Sequence, residues 1–378
     1  MNEDKSINKK LIALVSNSAW SVYNFRLDIV RYLRERYNIL VIAPDDEYSS
    51  LLEQEGCRYI PISFNNRSEN PVKDYNLYRQ LKTIYAAERP DFIFHYVIKP
   101  NIYGSLAAAS CSIKSVAVVT GLGYSFARHN WLYRIVLLLY KRALRNTEEV
   151  WFLNNDDAAI FINEKIVNIK KMKVLPGEGI NTDYFLPGEK SAHEGNTAFS
   201  FLMSARLLRS KGISVYANAA RILKKKNYNV NFELIGFFEK NHPDSVPEDD
   251  LKKWEDEGLI RYLGFAKDVR IFLNRTDCFV FPSFYNEGVP RSLMEAASME
   301  LPIITSFNRG CKEVVLNNSN GYTCNPNDAF DLADKMEKMI NLPADERIRM
   351  GENGRKLVAE KFNISKVIKE YERTLSRL

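Results

Sequence analysis

The chain has 378 residues, 46% hydrophobic and 26% charged, which excludes a disordered or fibrous protein and suits two globular domains. Five cysteines without a C-x-x-C pair favour buried thiols over disulfides or zinc, and no signal-peptide core and no apolar run of the roughly 18 residues that span a bilayer occurs, so a cytoplasmic location is expected. Net charge is +6, and residues 1–180 carry most of it, 24 Lys+Arg against 19 Asp+Glu, which points to an anionic surface partner for the N-terminal half.

In chain order, residues 10–15 (KLIALV) read as a strand and residues 22–36 as a helix with Phe25, Ile29, Tyr32 and Leu33 on one face. Strand NILVIAP, helix 47–56, strand RYIPI, helix 75–88, strand DFIFHYV, helix 101–110 and strand SVAVVT follow. Strands alternating with helices predict a parallel sheet buried on both faces. The first turn, SNSAWSVYNF, lacks the glycines with which a dinucleotide fingerprint approaches pyrophosphate, so a nicotinamide dehydrogenase is disfavoured. Ser18 and Asn24 flank this turn at the carboxyl edge, where such sheets bind ligands; helix capping and a polar helix face account for them as well. His95, Lys99 and Asn101 follow the DFIF strand at the same edge, although a lone His there is more often structural. Gly121, Gly123 and Tyr124 form a loop that either admits an acceptor or simply turns.

Residues 128–145 carry five basic side chains, no acidic one, the run IVLLL, and Trp131, Tyr133 and Tyr140. A basic helix with aromatic anchors reads as lying on an anionic membrane surface, with Trp131 and Tyr140 at headgroup level. The alternative is a helix packed on the sheet with solvated arginines. Strand VWFLNN, helix 155–163 and strand KMKVLP end the first half, and the Gly- and Pro-rich segment 176–196 reads as an interdomain linker.

The second half opens with strand AFSFLMSA, the basic turn Arg206 to Gly212, and a helix to Lys226. Cationic side chains at a strand-to-helix turn suit a diphosphate; a solvated basic loop is the plainer explanation. Strand NVNFELIG and helix 248–257 follow, then IRYLGF, whose Leu263 to Phe265 would set backbone groups against a nucleotide base, and helix 267–275. Residues 278–306 form a strand, a polar loop, a helix opening at Pro290 and another strand. A helix N-terminus attracts phosphate. Glu287 just before it and Glu295 two turns inside suit the hydroxyls on either side of a phosphate, or are merely a helix-entry acid and a solvated one. Two helices, 344–361 and 364–378, finish the chain.

Glu287 and Glu295, separated by seven residues and bracketing Gly288-Val289-Pro290, resemble the donor-site signature of the family 4 retaining glycosyltransferases. GINTDYF resembles their hinge entry, Gly310, Glu313, Gly321 and Tyr322 match the usual continuation, and Lys99-Pro100-Asn101 resembles a segment of related surface-glycan enzymes. The resemblance covers nearly the whole chain and is greatest to bacterial N-acetylgalactosaminyltransferases that extend undecaprenyl-diphosphate-linked glycans. It implies the GT-B arrangement: two doubly wound Rossmann-like α/β domains facing across a cleft. Residues 1–180 would bind acceptor and residues 181–363 the nucleotide sugar, with helix 364–378 packing back on the first domain. Glu287 would contact the donor sugar, Glu295 the ribose, and Arg206 and Lys211 the diphosphate. Gly288, Val289, Pro290, Phe265 and Ser18 would complete the donor site, and His95, Lys99, Asn101, Asn24 and Tyr124 the acceptor side. The implied reaction transfers a hexose unit with retention from a nucleotide-diphosphate sugar, by this resemblance UDP-linked, to a lipid-linked saccharide at the inner face of the cytoplasmic membrane. No Asp-x-Asp triplet occurs, so neither a metal nor another cofactor is expected, and no nucleic acid partner is. A nucleotide-sugar epimerase of the same fold and a non-catalytic sugar-nucleotide sensor are the alternatives.

Overall fold

The computed structural model describes residues 9–64, 70–122, 131–188, 198–239 and 242–378. The chain divides into two compact units, Met1–Glu178 with Ile364–Leu378, and Gly179–Asn363. Gly123, Tyr124, Arg128 and the Trp131 side chain, singled out above, lie outside the described residues, as does part of the expected linker.

The first unit runs β1 (Leu11–Val15), α1 (Ala19–Leu33), β2 (Asn38–Ala43), α2 (Ser49–Gln54), β3 (Arg58–Pro61), α3 (Pro71–Glu88), β4 (Phe92–Tyr96), α4 (Ser105–Ser110), β5 (Lys114–Val119), α5 (Trp131–Ala143), β6 (Glu149–Phe152), α6 (Asn155–Asn163) and β7 (Met172–Val174). Its sheet is parallel, ordered β3-β2-β1-β4-β5-β6-β7. The central strands are continuous apolar runs because helices cover both faces, and residues 12–15 and 92–96 are buried throughout. The strand order reverses between β1 and β4, the kind of point at whose carboxyl edge open parallel sheets bind ligands.

The second unit runs β8 (Phe199–Ser204), α7 (Ile213–Lys225), β9 (Val230–Ile235), α8 (Glu248–Asp256), β10 (Arg261–Tyr262), α9 (Arg270–Leu273), β11 (Cys278–Phe281), α10 (Arg291–Ser298), β12 (Ile303–Ser306), β13 (Gly321–Cys324), α11 (Ala329–Asn341) and α12 (Ala344–Lys361). Its parallel sheet is ordered β10-β9-β8-β11-β12-β13, so the reversal falls between β8 and β11. Phe201, Met203, Leu234 and Val280 of the sheet meet Tyr216 and Ala220 of α7 and Met336 of α11 in one core.

The last helix, α13 (Ile364–Leu375), returns to the first unit. Tyr371 anchors it, with ring centroids 4.6 Å from Phe94 and 4.9 Å from Trp151 and its hydroxyl 2.7 Å from that of Tyr96. The Arg26 guanidinium stacks 4.0 Å from the Tyr96 ring and pairs with Glu178, the last residue before the chain leaves the unit.

Several expectations shift. The helix expected over 267–275 is the single turn α9, and β13 and α11 were not anticipated. The helix expected to open at residue 101 begins with a π turn, Pro100–Gly104. On α1 the buried face includes Arg26, while Phe25 and Tyr32 are only half-buried.

Candidate functional site

The reversal between β8 and β11 brings together two loops far apart in sequence. Gly212 sits at φ +84°, and a Cβ there would lie 2.1 Å from the Pro282 carbonyl oxygen, so only glycine lets the loops meet. Across this contact the Phe284 amide donates to the Ser210 carbonyl at 2.9 Å, and the Ser283 hydroxyl oxygen lies 3.3 Å from the same carbonyl. A third loop clamps the second. Gly310, at φ +70°, would place a Cβ 2.0 Å from the Gly288 carbonyl oxygen, and Asn308 Nδ2 donates to the Tyr285 carbonyl at 2.6 Å.

The product of these contacts is a buried ion pair. Lys211 Nζ lies 2.5 Å from Glu287 Oε1, with the residues 7% and 8% exposed. The Ser283 hydroxyl donates to the same carboxylate oxygen at 2.7 Å. The ammonium also sits 5.0 Å from the Tyr285 ring centre and 5.6 Å from that of Phe281, within cation–π range. Burial pushes the Lys211 ammonium down, and the Glu287 carboxylate opposes that shift. Burial, aided by Glu287, raises the Tyr285 phenol. Desolvating two charges costs several kcal/mol per ion, about what their attraction returns, so the pair adds little stability while fixing a charge in place.

Arg206 follows β8 and pairs with Glu239, beyond β9, at 2.8 Å. Its positive charge contributes to the lowering of Lys211, so both cations act in one field. Helix α10 has Pro290 at its N-cap and no side-chain cap, and its first-turn amides supply donors and partial positive charge at the end of the Glu287 loop. Val289 and Pro290 are buried. Glu295 pairs with Arg291 at 2.9 Å; burial raises its carboxyl against the pull of that cation. Phe265, beyond β10, is 46% exposed and packs edge-on against Phe237 at 5.7 Å. Sequence reasoning missed Ser283, Asn308 and Glu239. Only Ser283, four residues before Glu287, carried a local signal.

In the first unit the sequence candidates separate. Ser18 caps α1, its hydroxyl accepting the Ser21 amide at 3.1 Å, and Asn24 Nδ2 donates to the Trp20 carbonyl at 2.9 Å. His95 needs correction: it lies inside β4, fully buried, not beyond the strand. Its Nε2 is 3.0 Å from the Tyr85 hydroxyl and its Nδ1 3.3 Å from that of Ser105, and burial depresses it to about 3, so the ring is neutral. The π turn closes over it, since a Cβ on Gly104 would stand 2.4 Å from its Cδ2. Lys99 is buried and pairs with Asp74 at 2.6 Å, while the Tyr103 hydroxyl donates to the other Asp74 oxygen at 2.8 Å. Asn101 is buried, and its Nδ2 donates to the Val118 carbonyl at 2.9 Å.

Helix α5 is two-faced. Tyr133, Tyr140 and Ala143 are buried, and Tyr140 packs edge-on to Phe161 at 5.0 Å. Tyr140 therefore belongs to the core and cannot sit at a headgroup. Arg134, Ile135, Leu138, Lys141 and Arg142 are exposed, Leu138 by 68%. Among the described residues no helix is long and apolar enough to cross a membrane, and no group of three or more His, Cys, Asp or Glu is placed to hold a metal ion.

Two family models match the chain, one described as Glycosyl transferase 4-like over residues 11–154 and one as Glycosyl transferases group 1 over residues 189–357. The chain is 29% identical over 354 residues to the N,N'-diacetylbacillosaminyl-diphospho-undecaprenol alpha-1,3-N-acetylgalactosaminyltransferase of Campylobacter jejuni, covering 90% of this chain and 91% of that one. It is 27% identical over 345 residues to the UDP-Gal:alpha-D-GlcNAc-diphosphoundecaprenol alpha-1,3-galactosyltransferase of Escherichia coli, covering 85% and 82%. Among solved structures, Anabaena Alr3699/HepE in complex with UDP-glucose matches with a TM-score of 0.81 at 19% identity, over 97% of this chain and 100% of that one. A glycosyltransferase from Rickettsia africae matches at 0.78 and 19%, over 97% and 98%. These structural likenesses are of fold, the two Rossmann-like units of the GT-B class.

Proposed function

The chain belongs to the glycosyltransferases, and on that premise we propose that it transfers a hexose or N-acetylhexosamine unit, with retention and without a metal, from a UDP-linked donor to a lipid-linked saccharide in surface-glycan synthesis. One observation carries this reading: a buried Lys211–Glu287 pair at the reversal point of a parallel sheet, next to an uncapped helix N-terminus. The site offers fixed positive charge for a leaving diphosphate and a fixed carboxylate for sugar hydroxyls.

In this reading Arg206, Lys211 and the first-turn amides of α10 stabilise the charge that develops as the bond from the anomeric carbon to the diphosphate breaks. The electron pair stays on the departing phosphate oxygen. The acceptor hydroxyl attacks the anomeric carbon from the same face, and its proton passes to that oxygen, so no enzymic nucleophile is needed. Glu287, held by Ser283, orients the sugar through its hydroxyls. Glu295 receives the ribose hydroxyls, the backbone of Gly288, Val289 and Pro290 lines the approach, and Phe265 with Leu263 borders the base. Pairing with Arg291 keeps Glu295 in place.

The first unit supplies the acceptor side. Lys99, fixed by Asp74, lies just beyond β4 at the reversal edge, where a diphosphate-linked acceptor would meet it. Asn24 and Asn101 support that edge through backbone bonds. The exposed face of α5, with Ile135 and Leu138 among Arg134, Lys141 and Arg142, suits the anionic inner face of the cytoplasmic membrane. The test is thermal stabilisation by UDP-N-acetylhexosamines. Stabilisation of the wild type that is lost in Glu295→Ala supports the site; equal stabilisation of both proteins contradicts it.

A further inference from the structure

Both cations assigned to the diphosphate already hold a carboxylate, but the two pairs differ. Lys211–Glu287 is buried, its side chains 9% and 10% exposed, and Ser283 fixes the acid. Arg206–Glu239 is open, its side chains 36% and 28% exposed. A diphosphate arriving at this edge meets one pair that is locked and one that can part.

The segment bearing Glu239 is laced to the segment bearing Arg206. The Leu207 amide donates to the Phe237 carbonyl at 3.0 Å, and the Val246 amide to the Leu207 carbonyl at 2.9 Å. The Arg209 amide donates to the Asp244 carbonyl at 2.7 Å. The Asp244 carboxylate accepts the Ser210 amide at 3.1 Å and the Ser210 hydroxyl. This lacing sits one residue before Lys211. Glu239 therefore stays beside Arg206 even when their side chains separate. Arg206 and Glu239 both act on the Tyr285 phenol, which places the pair within the electrostatic reach of the buried site.

We propose that Glu239 is an internal stand-in for the donor diphosphate. It neutralises and orients Arg206 while the site is empty. It yields the guanidinium when a nucleoside diphosphate binds, and reclaims it as that product leaves. The donor is thus held less tightly than two unopposed cations would hold it, and product release is faster. This rests on the assignment of Arg206 to the diphosphate, deepening the reading above.

The experiment is UDP binding by calorimetry and its dissociation by stopped flow, in wild type, Glu239→Gln and Arg206→Gln, with inorganic pyrophosphate as a second probe. Glutamine keeps the shape and removes the charge. UDP is expected to bind Glu239→Gln about threefold to tenfold more tightly, the scale on which an exposed ion pair and a charge repulsion act, with slower dissociation. Pyrophosphate should gain by a similar factor, because the effect concerns the diphosphate alone. Equal or weaker UDP binding by Glu239→Gln overturns the proposal, as does a gain for UDP that pyrophosphate does not share. Arg206→Gln separates the two levels of the argument. If it binds UDP like wild type, the diphosphate assignment of Arg206 itself fails; if it loses affinity while Glu239→Gln gains none, only the stand-in role fails.

Discussion

Replacing Lys211 by methionine tests how the second unit carries its buried charge. The substitution keeps length and apolar bulk but leaves the Glu287 carboxylate, 8% exposed, without its cation. Removing one partner of a buried pair costs about 3 to 5 kcal/mol, because the remaining charge stays desolvated. For a unit of this size each kcal/mol moves the midpoint by about 2 to 4 °C, so a fall of about 6 to 20 °C is expected. The double substitution Lys211→Met with Glu287→Leu removes both charges and should regain most of that loss. The Ser283 hydroxyl then turns its proton to the Ser210 carbonyl, 3.3 Å away. Scanning calorimetry, which resolves the two units if they melt apart, gives the coupling in a double-mutant cycle. Turnover should remain absent in the double variant although its fold is restored. A Lys211→Met protein that melts like wild type, or a double variant no more stable than the single, would refute the pair as described.

Three further outcomes are expected. Arg206→Ala should cut turnover strongly, since charge-assisted stabilisation of a leaving group is typically worth a few kcal/mol, and EDTA should leave wild-type turnover unchanged; activity that needs a divalent ion and survives loss of Arg206 contradicts the metal-free mechanism. His95 is buried with its pKa lowered to about 3, so the unfolded chain binds a proton that the folded one refuses. Stability should therefore fall as pH drops from about 6.5 towards 3, by up to about 5 kcal/mol from this group, and an acid-side slope in denaturant titrations that persists unchanged in His95→Gln would contradict the assignment. Finally, the protein should float with anionic liposomes at low salt, and Leu138→Glu with Arg142→Glu should abolish this; equal flotation of the variant removes α5 as the docking face.

Much of the site was legible because its chemistry is local. Glu287, Pro290 and Glu295 lie within one strand–loop–helix, and Arg206 and Lys211 share the single turn between β8 and α7. What joins them was not legible. The Gly212 to Pro282 approach and the pairing of Lys211 with Glu287 depend on two strands lying side by side, a tertiary fact that no window around either loop carries. His95 misled because β4 continues two residues past the apolar DFIF segment, to Tyr96, and the π turn ending at Gly104 seals it. Helix α11 escaped notice although Leu332, Ala333, Met336 and Met339 recur at helical spacing. Its stripe is narrow, and Phe330, 80% exposed, blurs the pattern. In α5 the unbroken IVLLL run hid which side packs inward. Tyr133 and Tyr140 settle it, seven residues apart and both buried.

The most direct measurement is incubation with labelled UDP-N-acetylhexosamine, with and without an undecaprenyl-diphosphate-linked saccharide, following UDP release and the anomeric configuration of the new bond by NMR. The account predicts UDP release that depends on the acceptor and a glycosidic bond with the donor's own configuration. Interconversion of the sugar without acceptor, an inverted anomer, or tight binding with no UDP release would contradict it.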